Sequence, residues 1–150
     1  MDREKSIDVL NTLLQINNDR SQGYQAAILE TEDYGLKLLL SECQQTSERN
    51  IIELQTEIIK MGGMPLKGTD FASKVHRVWM ELKAATTGHD RDLILSSCAY
   101  GDDYAIDAYK TAIKDNLEDF NAEVKSLLVG QSFLIRADQA RVKALERVFS

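Results

Sequence analysis

A single proline, Pro65, occurs in the 150 residues of this chain. Proline ends or kinks a helix because it lacks the amide hydrogen and its ring clashes with the preceding turn. On either side of position 65 no residue of that kind interrupts a helix, and apolar residues recur at helical spacing throughout. No stretch alternates apolar and polar residues between turns, as a half-buried strand does. The chain therefore reads as all-α.

The first helix is expected over about residues 4–30, with Ile7, Leu10, Leu14, Tyr24 and Ile28 on one stripe and Leu13 and Ala27 beside it. Thr31, Glu32 and Asp33 offer capping oxygens and first-turn acidity for a second helix, about 33–62. Its stripe is Leu36, Leu40, Cys43, Ile51, Leu54, Ile58 and Met61. Gly62-Gly63 then predicts a left-handed C-terminal cap, and Pro65 just beyond it prevents continuation. Thr69-Asp70 opens a shorter helix to about Thr87, with Phe71, Val75, Val78, Trp79 and Leu82 on its buried side and Gly88 after it. Asp90 is the expected cap of the next helix, about 90–115. The last is expected from about Leu117 to Phe149, acidic at its start and basic at its end, as the helix dipole favours.

Two tight hairpins of long helices, joined by a crossover over about residues 63–89 that carries its own short fifth helix, make a ferritin-like four-helix bundle. Nothing marks a linker, so residues 1–150 are expected to form a single domain around one core.

Charge narrows the partners. With 24 Asp and Glu against 18 Lys and Arg, the net charge of -6 repels phosphate backbones and anionic bilayers, so neither nucleic acid nor membrane is an expected partner. No apolar run approaches the roughly 18 residues of a spanning helix. The opening Met1-Asp2-Arg3-Glu4-Lys5 lacks the apolar core of a secretory signal. Cys43 and Cys98 are too few for a disulfide framework and are expected as thiols in a reducing cytoplasm.

Each apolar stripe fails at its middle. Asn17 to Gln22 form a polar run in the first helix, with positions 17 and 21 on the core stripe itself, and Gln44 to Asn50 form another in the second. Folding the first hairpin at about residue 32 brings Asp19 level with residue 45, so the two runs face each other. Folding the second hairpin at about residue 116 sets Gly101-Asp102-Asp103 level with residue 130, beside Gln131. Gln131 and Asp138 sit on the otherwise apolar stripe of the last helix. All four long helices thus bring polar groups to the bundle centre.

Two chemistries produce such a centre. One is a carboxylate metal site of iron or manganese, for which Asp19, Glu48, Asp102 and Asp103 are the candidate ligands, with Gln131 supporting them from behind. The other is a buried hydrogen-bond network. Di-iron bundles use a Glu-x-x-His pair on two helices. The two histidines here, His76 and His89, both fall in the crossover, and no such pair occurs. That favours the network, and no cofactor is expected. Interior Gly23, Gly101 and Gly130 each cost about 1 kcal/mol relative to Ala, and close core packing is the expected reason for them. No nucleophile elbow, phosphate loop, dinucleotide fingerprint or Cys-x-x-Cys occurs, and no catalytic constellation emerges.

Gly23-Tyr24, Glu48-Arg49, Gly62-Gly63 with Pro65, and His76-Arg77-x-Trp79-Met80-x-Leu82-Lys83 resemble a bacterial family of ferritin-like bundles known only as a domain of unknown function. Thr87-Gly88, Gly101-Asp102-Asp103, Tyr109 and Gln131 continue the likeness over nearly the whole chain. The resemblance implies a ferritin-like fold and a bacterial cytoplasmic protein linked loosely with stress responses, without an established activity. The family tends to carry Gly-Glu-Asp where Asp102 stands and His-Asp where Ala137-Asp138 stands. Both departures weaken a metal site.

The leading expectation is a non-enzymatic structural or interaction protein that forms a homo-oligomer, most simply a dimer, with Phe71, Trp79 and Met80 as interface material. The alternative is a metal-binding ferritin-like oxidoreductase or storage protein using carboxylates alone. A carrier of a small apolar ligand between the helices is a third reading.

Overall fold

A computed structural model of the chain describes residues 2–67, 91–116 and 118–149. Among the described residues there are four α-helices and no strand: α1 (Arg3–Glu30), α2 (Tyr34–Lys60), α3 (Arg91–Asp115) and α4 (Ala122–Phe149). The short helix expected over residues 69–87, its Phe71, Trp79 and Met80, both histidines and the cap Asp90 lie outside the described residues.

The helix ends follow from local chemistry. Asp2 and Asp33 cap α1 and α2, their carboxylates accepting from the backbone amides of Lys5 and Leu36. The Leu36 amide, with Arg91 nearby, holds the Asp33 carboxyl below its ordinary range. Gly62, at φ 80°, ends α2 as expected. Its amide donates to the Ile59 carbonyl at 2.9 Å and that of Gly63 to the Ile58 carbonyl at 2.9 Å, the paired pattern of a Schellman cap. A Cβ on Gly63 would come within 2.8 Å of Ile7, so this glycine lets the end of α2 press against α1.

α1 packs against α2 and α3, and α4 packs against α3 and α2. Every neighbouring pair is antiparallel. Asn17 meets Tyr109 while Arg20 and Tyr24 meet Asp102 across α1 and α3. Lys60 faces Glu123 while Arg141 faces Glu42 across α2 and α4. Leu10, Leu13, Leu14, Leu54, Ile58, Val124 and Leu128 fill one half of the core, and Leu36, Leu40, Leu95, Cys98 and Val142 fill the other.

Two expectations need correcting. The last helix begins at Ala122, not near residue 117, because Asn121 takes the cap and its side chain accepts from the Val124 amide. Glu118 and Asp119 therefore belong to the turn, where Lys5 pairs with Asp119. The second hairpin consequently folds near residue 120. Asp102 and Asp103 come level with Asp138 and Gln139, about two helical turns beyond the expected residue 130, and Gln131 comes level with Tyr109.

The second correction is Gly130. Gly23 and Gly101 are buried, as close packing requires. A Cβ on Gly130 would meet nothing within 4 Å. Gly130→Ala is therefore expected to stabilise the protein by about 1 kcal/mol, a rise of roughly 2–4 °C in melting temperature. An unchanged or lower melting point would mean that the glycine has a role in the folded chain that its open surroundings hide.

Candidate functional site

The centre of the bundle is built around a buried arginine. Arg20 lies one helical turn after Asn17 and one before Tyr24, on the same seam as Leu10, Leu13 and Ala27, and it is completely inaccessible to solvent. Each nitrogen of its guanidinium has a partner. Nε donates to Asp102 Oδ1 at 2.7 Å and Nη2 to Asp138 Oδ2 at 3.1 Å. Nη1 donates to the Cys43 carbonyl at 2.8 Å and to Ser47 Oγ at 2.9 Å. Its Cζ lies 4.8 Å from the centre of the Tyr24 ring, and the Tyr24 hydroxyl donates to the other Asp102 oxygen at 2.6 Å.

These contacts set the charges. Burial opposes the Arg20 charge, but Asp102, Tyr24 and Asp138 outweigh it and hold the guanidinium more firmly protonated than usual. Burial pushes the Asp102 carboxyl above the ordinary aspartate value, while Arg20 and the Tyr24 hydroxyl pull it back. Burial, reinforced by Asp102, raises the Tyr24 phenol well above its usual range. The neighbouring thiols behave alike. Burial and then Asp138 push Cys43 up to about 12, and burial and then Asp102 raise Cys98 well above the ordinary value. Neither is a nucleophile, because the thiolate is what reacts.

A second cluster continues from the first through Ser47, whose hydroxyl accepts from Arg20 and donates to Asn17 Oδ1 at 3.1 Å. Asn50 Nδ2 donates to the same oxygen at 3.1 Å. Asn17 Nδ2 donates to the Tyr109 hydroxyl at 2.7 Å, which donates to Gln131 Oε1 at 2.6 Å. Gln131 Nε2 then reaches Glu53 Oε1 at 3.1 Å, at the edge of the bundle. One run of hydrogen bonds thus links a buried cation to a half-buried carboxylate and uses a side chain from each of the four helices. Burial raises the Tyr109 phenol, so it stays a donor.

The five sequence-derived candidates are dispersed among these contacts. Asp102 is central, with both oxygens engaged by Arg20 and Tyr24. Asp103, on the next face of α3, accepts from Gln139 Nε2 at 2.8 Å. Glu48 accepts from the Ser21 hydroxyl at 2.7 Å beside the α1–α2 groove. Gln131 belongs to the Tyr109 cluster, and Asp19 is buried on α1. Among the described residues, no group of three or more His, Cys, Asp or Glu side chains is arranged to hold a metal ion. No described helix is long and apolar enough to cross a membrane.

Arg20 is the residue that sequence reasoning missed. In sequence it falls within a polar run, yet its place three residues after Asn17 and four before Tyr24 is the core spacing. Asp138 lies on the core stripe, but a hairpin folded at residue 116 keeps it away from Asp102; folding near residue 120 brings the two together at Arg20.

No curated protein and no solved structure matches the chain significantly. Residues 5–115 match a family model described as a domain of unknown function, DUF2383. The match takes in nearly all of α1 with α2 and α3, hence Arg20, Tyr24, Ser47 and Asp102, and ends before α4. Covering well over half of the chain, it shows that this protein belongs to the DUF2383 family.

Proposed function

We propose that this protein is a ferritin-like bundle whose polar centre is occupied by an arginine in place of a metal, and that it serves as a non-enzymatic structural and interaction protein. The carrying observation is Arg20. The buried acids Asp102 and Asp138 are the kind of ligand a bundle metal takes, but the guanidinium lies between them within hydrogen-bonding distance of both. Tyr24 engages the remaining Asp102 oxygen. Iron or manganese does not fit this donor set, because a cation already fills the space, and Arg20 and Tyr24 together engage both Asp102 oxygens and one of Asp138.

The ferritin-like connection is supported by where the described ends lie. Asn11 of α1 binds the Met64 carbonyl and the Leu66 amide, so the chain leaves α2 beside the start of α1. α3 begins at the opposite end, where Arg91 pairs with Asp33. The described ends of α2 and α3 thus lie at opposite ends of the bundle, about 40 Å apart for helices of this length, as a long crossover between two hairpins requires.

An interaction role is supported by large apolar side chains left in solvent on α2 and α4, among them Ile52, Ile59, Val129 and Phe133. The test of the central reading is metal retention. Untagged protein is incubated anaerobically with iron(II) or manganese(II), desalted, and its bound metal quantified by mass spectrometry. The expected result is no stoichiometric metal in either case. One or two ions retained per chain would sink the proposal and direct attention to oxidase activity.

A further inference from the structure

Phe133 of α4 is the ridge between two grooves of opposite character. On the α2 side, Glu53, Glu57 and Glu123 line a groove, but Arg49 and Lys60 already pair with them. On the α3 side, a groove of about 490 Å³ is lined by apolar Ile113, Val129 and Phe133. Lys110, Lys114 and Arg136 border these side chains, and among the described residues no acidic side chain lines the groove. None of these three cations has an ion-pair partner among the described residues. Lys110 and Lys114 stand one turn apart on α3, where like charges repel by a few tenths of a kcal/mol. Phe133 is 69% exposed and Val129 54%, which is costly for an isolated surface.

We propose that the α3–α4 groove docks an acidic amphipathic helix of a partner protein. The inference deepens the interaction role proposed above and rests on it. Charge complementarity carries it. In a chain of net charge -6, this is a local cluster of uncommitted cations set around exposed apolar side chains. The channel between two antiparallel helices suits a third helix lying along it, with apolar anchors one turn apart against the apolar side chains and carboxylates meeting the lysines and the arginine. A long polyanion or an anionic bilayer would also meet the negative remainder of the surface, whereas a short acidic helix meets only the groove.

The probe is a fluorescent synthetic helix of about 18 residues, long enough to be helical, with Leu along one face and Glu on its flanks. Fluorescence anisotropy at low salt is compared with that of the same peptide carrying Lys for Glu. The Glu peptide is expected to bind and the Lys peptide not. Lys110→Glu with Lys114→Glu is expected to weaken the affinity roughly tenfold or more, as is Phe133→Asp, and added salt should weaken it further. All three side chains are exposed or line an open groove, so circular dichroism and melting temperature should stay unchanged and separate lost docking from lost folding. Equal binding of both peptides, or binding of neither, overturns the proposal. So does preferential binding of anionic vesicles or single-stranded DNA. A self-association abolished by the same substitutions also overturns it, since a second copy would then be the occupant. Metal retention is independent of every one of these outcomes, so failure here leaves the Arg20 reading standing, and the reverse.

Discussion

Arg20→Met is expected to remove about 3–5 kcal/mol of stability, read as a lower urea midpoint by circular dichroism. A single domain holds only about 5–15 kcal/mol in total, so this substitution takes a large share. The loss does not measure the worth of the ion pairs, because making them required stripping water from all the charges. It measures what remains when the cation goes: Asp102 and Asp138 in the core, the first with only the Tyr24 hydroxyl to hold it. Adding Asp102→Asn and Asp138→Asn to the Met variant should recover most of the loss, because the stranded charge is gone. If the triple variant is no more stable than Arg20→Met alone, packing rather than charge explains the effect.

The same variant carries a pH signature. Burial already lifts the Asp102 carboxyl, and without Arg20 little pulls it back. A carboxyl whose folded pKa lies above its unfolded value binds more protons in the folded state, so folding gains as pH falls through that interval. The gap between Arg20→Met and the parent should therefore narrow as pH is lowered toward the ordinary aspartate value near 4. A gap that widens on acidification would contradict the charge assignment.

Asn17→Leu is the second large effect, about 2–4 kcal/mol. Leucine fills a similar volume but strands the Tyr109 hydroxyl as an acceptor and removes the acceptor shared by Ser47 and Asn50. Because Tyr109 loses its purpose as Asn17's partner, Tyr109→Phe in the Leu background should cost less than it does alone. A double-mutant cycle reads that difference, and strict additivity would break the claim that these side chains act as one network.

Much of this was legible in the sequence because it depends on neighbours along the chain. One proline, helical spacing and the Asp33 and Gly62-Gly63 caps locate α1 to α3 closely. The first hairpin also registered correctly, since its turn is short and Asp33 marks its end. The second did not, because six residues separate Asp115 of α3 from Ala122 of α4 and Asn121, rather than a residue near 117, caps the helix. A shift of a few residues at a turn doubles in the pairing beyond it, which is enough to separate Asp102 from Asp138 in the expected register. Arg20 escaped for a different reason. A long cationic side chain is ordinarily solvated, and only the pairing of both hairpins supplies two acids that justify burying it. The family match reaches Asp102 but not Asp138, so it does not close that gap either.

The division of Arg20's partners also bears on how the chain comes together. Cys43 and Ser47 belong to the first hairpin, whereas both carboxylates arrive with the second. A first hairpin formed by itself would hold a cation with no counter-charge, and a second formed by itself would hold two acids with no cation. Neither half is a good place to stop. The arrangement penalises half-assembled states and any sliding of one hairpin along the other, which makes all-or-none folding the natural behaviour of this bundle.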